Sequence, residues 1–181
     1  GDFDLILVNY NVYIDNEPPA QPTISADKTT PTKDNVNLTV SFASDVVRKE
    51  VRVNGGEWKA YTAPVPITAN GKLEARGFDD AGNPSTIATY TVSNIDKIAP
   101  TVPTLVADKT NNSVTITFPT DAVTKEYRIN GGAWTPYSTP VNMSVSGKVE
   151  ARGTDAVGNV SVIGSLNVVV LYAPTITNTS P

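Results

Sequence analysis

Apolar and polar residues alternate along most of this chain in short runs, and no stretch sustains a helical period. Leu38, Val40 and Phe42 take every second place between Val36 and Ala43. Val51 and Val53 do so between Lys49 and Asn54, and Leu73 and Ala75 lie between Lys72, Glu74 and Arg76. Period-two alternation puts one set of side chains inward and the other outward, which is a strand with one buried face. Gly, Asn, Asp and Pro break these runs about every ten residues, the spacing of a sandwich. The pattern predicts strands over 22–27, 36–43, 49–54, a fourth carrying Trp58 and Tyr61, then 65–68, 72–78, and a seventh that follows Asn83 and ends near Val92. Asn54-Gly55-Gly56 should turn a hairpin, because Asn-Gly readily supplies the positive φ angles such turns need. The Lys72, Glu74 and Arg76 set reads as a solvated ladder.

The same succession then recurs. Val53-Asn54-Gly55-Gly56-Glu57-Trp58 returns as Ile129-Asn130-Gly131-Gly132-Ala133-Trp134. Each copy continues with a Tyr (Tyr61, Tyr137), a Pro-Val step and a Gly-Lys-x-Glu-Ala-Arg-Gly run, and closes on Asp-x-x-Gly-Asn at Asp79–Asn83 or Asp155–Asn159. The offset is 76 between the Trp residues and 81 between Asp15 and Asp96, so the first copy carries a five-residue insertion around Thr30 to Asp34. An insertion that disturbs neither flank reads as a surface loop. The expected organisation is one repeat over 17–94 and a second over 95–172. Residues 1–16 read as the last strand of a preceding repeat plus linker, and 173–181 as the start of a further repeat or linker. Ile-Asp-x-x-x-Pro-x-x-Pro occurs at Ile14–Pro22 and Ile95–Pro103. Prolines this dense hold an extended, stiff spacer. The fold class expected is all-β: two tandem seven-stranded immunoglobulin-like or fibronectin-III-like β-sandwiches.

Composition narrows the chemistry. The 181 residues include neither Cys nor His. Disulfides and thiolate metal sites are excluded, and the commonest general base and strongest nucleophile are missing. A net charge of −4 and a pI near 4.8 argue against nucleic acid as a partner. No apolar run is long enough for a membrane helix, so membrane insertion is not expected. No pair of carboxylates is placed for glycoside hydrolysis, and no Gly-rich loop joins a strand to a helix as a phosphate cradle. The chain is not read as an enzyme.

The run Asn-Gly-Gly-x-Trp, Tyr, Pro-Val, Gly, Ala-Arg-Gly-x-Asp-x-x-Gly-Asn-x-Ser resembles the bacterial immunoglobulin-like repeats found in tandem in surface-layer proteins and adhesins and beside secreted polysaccharide-degrading enzymes. The resemblance implies a β-sandwich used outside the cell as stalk, spacer or binding module. It names no ligand, since one fold hosts many roles. It also brings in the Lys–Asn isopeptide link known in some surface sandwiches, for which Lys72 with Asn83 is the nearest pair in sequence.

Two constellations carry candidate chemistry. The linker, the loop after strand two and the loop after strand six should meet at one pole of each repeat. That gathers Asp15, Asp45, Asp79 and Asn83 in the first, and Asp96, Asp121, Asp155 and Asn159 in the second. Converging carboxylates and carbonyls suit a hard cation such as Ca²⁺. The alternative is that each Asp closes its own turn by accepting backbone N–H groups. Trp58 with Tyr61, and Trp134 with Tyr137, could form an aromatic platform for the sugar rings of a cell-surface polysaccharide, or could pack over the sandwich and hold the hairpin. Neighbouring repeats of the same chain are expected partners, and strand addition to another copy is a further mode.

Overall fold

The computed structural model describes residues 14–171. The expectations for residues 1–13 and 172–181 lie outside them. The described residues form two compact units, one of 14–30 and 34–95, the other of 31–33 and 96–171. Both units are all-β, and no helix occurs among the described residues.

The first unit contains β1 (Thr23–Ala26), β2 (Val36–Ser41), β3 (Arg48–Val53), β4 (Lys59–Ala60), β5 (Val65–Ile67), β6 (Gly71–Phe78) and β7 (Ala88–Val92). They make a three-stranded sheet in the order β1-β2-β5 and a four-stranded sheet in the order β4-β3-β6-β7, with antiparallel pairing throughout. The second unit repeats this with β8 (Thr104–Asp108), β9 (Ser113–Thr117), β10 (Thr124–Ile129), β11 (Thr135–Pro136), β12 (Val141–Asn142), β13 (Gly147–Thr154) and β14 (Gly164–Val168). Its sheets run β12-β9-β8 and β11-β10-β13-β14. Seven strands in this arrangement define an immunoglobulin-like or fibronectin-III-like sandwich.

The period-two pattern fills the space between the sheets. Val36, Leu38 and Val40 of β2 face Val51 of β3, Leu73 and Ala75 of β6 and Val92 of β7, all buried. Each Val or Leu among them contributes about 1.5–3 kcal/mol on burial. Val114, Ile116, Val149, Ala151 and Val168 do the same in the second unit. Val53 departs from its expected inward place and is 40% exposed, because it ends β3 beside the hairpin turn. The edge strands carry a Lys and prolines, Lys59 on β4, Pro66 on β5 and Pro136 on β11. Such residues discourage another strand from adding there.

The hairpin is built as its Asn-Gly pair dictates. Asn54 has φ 52° and Gly55 φ 73°, and the Gly56 N–H donates to the Val53 carbonyl at 3.0 Å. Two consecutive positive φ angles match the right-handed twist of the strands they join. The Asn54 side chain turns back, and its Oδ1 accepts the Lys72 N–H at 2.8 Å. It occupies the space a Cβ on Gly71 would need, which explains why the motif carries a Gly there. Asn130, Lys148 and Gly147 repeat the arrangement.

Beyond that turn the register slips. The turn pairs Val53 with Gly56, but the strands pair Val51 with Lys59 and Glu50 with Ala60, so the return limb holds one extra residue. Directly opposed residues share a face, and a one-residue slip reverses which face that is. Without the bulge Trp58 would oppose core-facing Val51. With it, Trp58 falls opposite Arg52, on the outer face. The second unit slips identically, pairing Tyr127 with Thr135.

Candidate functional site

In the acidic turn after β6, Asp79 and Asn83 are brought together. Asp79 Oδ1 accepts the Asn83 backbone N–H at 2.8 Å and Oδ2 accepts its side-chain amide at 2.9 Å. The Gly82 N–H donates to the Asp79 carbonyl, with Gly82 at φ 90°. Asn83 Nδ2 also donates to the Asp15 carbonyl at 3.0 Å, which fastens the linker to this turn. The Asp15 carboxylate meanwhile accepts the Glu17 N–H. Asp45 is exposed in the turn after β2. In the second unit Asp155 holds Asn159 at 2.8 Å through both donors, and Asn159 reaches the Asp96 carbonyl at 3.1 Å. Asp96 accepts the Ile98 N–H, and Asp121 is exposed. Asp15 and Asp96 thus reach the turns of Asp79 and Asp155 through their main-chain carbonyls, while their carboxylates close turns of their own. Among the described residues no group of three or more acidic side chains is placed to hold a metal ion. Partial burial disfavours ionisation of Asp79 and Asp155, but the donors from Asn83 and Asn159 outweigh it and hold both carboxyls below the usual range.

The aromatic candidates separate. Trp58 lies over the guanidinium groups of Arg76 and Arg52, with ring-to-Cζ distances of 4.1 and 4.6 Å. Those arginines are in turn held by carboxylates. Arg52 Nε donates to Glu74 at 2.9 Å, and Arg76 Nε donates to Glu50 at 2.9 Å. Trp134 rests on Arg152 and Arg128 at 4.3 and 4.5 Å, above Glu126 and Glu150. Each indole gains cation–π attraction and closes off the charges beneath it. Glu74 and Glu150 are consequently buried, which corrects the solvated ladder expected of this face. The hydrogen bond from Arg52 keeps the Glu74 carboxyl ionised below its usual range against partial burial. Lys148 and then Arg128 do so for Glu150.

Tyr61 and Tyr137 point the other way, into the core. The Tyr61 ring packs tilted against Phe42, at 5.6 Å between centroids, and its hydroxyl accepts the Val40 N–H at 3.0 Å. β5 begins only at Val65, opposite Leu38, so on that side β2 has no strand partner at Val40, which pairs with Ile24 of β1 on the other, and the hydroxyl takes the open place. Tyr137 accepts the Ile116 N–H at 2.9 Å. A Trp and a Tyr three apart in extended chain face opposite sides, so the structure does not assemble them into one platform.

Lys72 is not beside Asn83. Its Nζ lies 3.4 Å from Glu74 at the start of β6, whereas Asn83 follows the strand's far end. Sequence reading passed over Glu50 and Arg52, although each recurs 76 residues on as Glu126 and Arg128. It also gave no role to Ser85 and Ser161, which are buried and accept the Gly77 and Gly153 N–H groups at 2.9 Å.

No protein-family profile and no curated protein matches this chain. Among solved structures it is similar to the fibronectin(III)-like modules of Clostridium thermocellum CbhA, at 14% identity and a TM-score of 0.35, covering 82% of this chain and 94% of that one. It is also similar to the BSP domain of a biofilm associated protein, at 11% identity and a TM-score of 0.32, covering 87% of this chain but 30% of that one. The sandwich assignment rests on the strand order itself.

Proposed function

We propose that the chain is a non-catalytic structural module, a pair of β-sandwich repeats that serves as spacer or stalk in a bacterial secreted or cell-surface protein. One observation carries this reading: the motif residues common to both repeats are engaged in holding the fold. Asn54 locks its hairpin, Trp58 covers the arginines, Tyr61 completes the edge of β2, Asp79 and Asn83 close their turn, and Ser85 anchors β6, each with its counterpart in the second unit. A binding site common to both repeats would leave some shared polar side chains unengaged and converging.

The rival is a carbohydrate-binding module, and the half-buried indoles on the outer face favour keeping it in view. Retention on insoluble polysaccharides separates the two. The spacer reading expects no retention that depends on Trp58 or Trp134. Retention that disappears in Trp58→Ala or Trp134→Ala, with the fold intact by circular dichroism, would overturn it.

A further inference from the structure

Three Asn-Gly pairs occur in the chain, at Asn54, Asn70 and Asn130, and the structure treats them unequally. At Asn54 the side-chain oxygen accepts the Lys72 N–H at 2.8 Å, while no hydrogen bond holds Nδ2 or the Gly55 N–H among the described residues. Asn130 is arranged alike against Lys148 and Gly131. At Asn70 both ends of the amide are bound: Nδ2 donates to the Ile95 carbonyl and Oδ1 accepts the Ile95 N–H, each at 2.9 Å.

This difference bears on a reaction available to any Asn-Gly pair. The glycine nitrogen attacks the side-chain Cγ, a C–N bond forms, and a five-membered imide closes. The side-chain amine leaves as ammonia, carrying the proton from the glycine N–H. Water then opens the imide at either carbonyl to give Asp or isoaspartate. No oxidant or cofactor is consumed. A donor on Oδ1 polarises the carbon under attack, as an oxyanion-stabilising N–H does elsewhere. A bond on the amine must break before ammonia can leave.

We infer that Asn54 and Asn130, the two hairpin asparagines, are the sites of spontaneous deamidation in the folded protein, and that Asn70 is protected. The two products differ in consequence. Asp at either position still accepts the Lys72 or Lys148 N–H and preserves the turn. Isoaspartate adds a carbon to the backbone and moves the carboxylate, so the turn that sets the register of Trp58 or Trp134 is lost. The hairpins therefore act as ageing markers that loosen the Trp-covered face.

The test is peptide mapping by mass spectrometry after incubating the chain in mildly alkaline buffer, folded and in denaturant. The folded protein should show amide-to-acid conversion at Asn54 and Asn130, with Asn70 at least about fivefold slower, the factor one net hydrogen bond is worth. In denaturant the three should converge. An Asn70→Ser variant, copying Ser146 of the second unit, should leave both hairpin rates unchanged. Conversion of Asn70 as fast as the others in the folded state would overturn the inference. So would silence at Asn54 and Asn130 under conditions in which the denatured chain reacts.

Discussion

Replacing Tyr61 by Phe removes one hydroxyl and nothing else. The ring keeps its place against Phe42, so packing is unchanged to first order. What is lost is the acceptor 3.0 Å from the Val40 N–H, and Val40 is 5% exposed. An N–H left there without a partner costs about 1–3 kcal/mol. The lower half of that range fits this bond, which is only partly buried and within reach of water at the sheet edge. For a unit of this size each kcal/mol moves the thermal midpoint by about 4–8 °C, so a fall of roughly 4–16 °C is expected. Calorimetry on the intact chain reads it, and Tyr137→Phe should act alike on its own unit through Ile116. An unchanged midpoint in both variants would refute the reasoning. It would mean that the tyrosine hydroxyl does not complete β2 and that its recurrence needs another explanation.

Trp58→Ala should cost about 2–4 kcal/mol, uncovering the Arg52–Glu74 and Arg76–Glu50 pairs to water, and urea denaturation would show it. A loss confined to a few tenths would mean that the indole is a surface ornament. Melting with and without a chelator should give the same midpoint, since Asp79 and Asp155 are engaged by Asn83 and Asn159; a drop on chelation would favour the Ca²⁺ reading instead. Asp27, Glu74, Asp79, Asp108, Glu150 and Asp155 all have carboxyls held below their ordinary values of 3.8 (Asp) or 4.5 (Glu). A lowered folded pKa contributes stability that is present above the unfolded value and lost as pH falls through the folded one. Stability should therefore hold through neutrality and decline only below about pH 4.5; a decline already under way near neutral pH would contradict these assignments.

Much of the architecture was legible because it depends on local pattern. Alternation located Val36 to Ser41 and Gly71 to Phe78 closely, and Asn54-Gly55 specified its turn outright. What was not legible depends on where one strand stops relative to another. The face taken by Trp58 hangs on one extra residue between the turn and β4, and no residue type announces that residue. Tyr61 is needed because β5 begins only at Val65, and Glu74 is buried beside the Arg52 that Trp58 overlies. The odd spacing of Trp58 and Tyr61 was the available signal that they could not share a face. The recurrence of Glu50 and Arg52 was the signal for the charge network.

Pulling the chain from its two ends in a single-molecule force experiment tests the structural role most directly. Two independent sandwiches should resist and then yield in two separate events. Each should release about 75–80 residues, roughly 260 Å of extended chain. A smooth extension without resistance, or one event that frees the whole chain at once, would contradict a pair of repeats that withstands tension as a stalk.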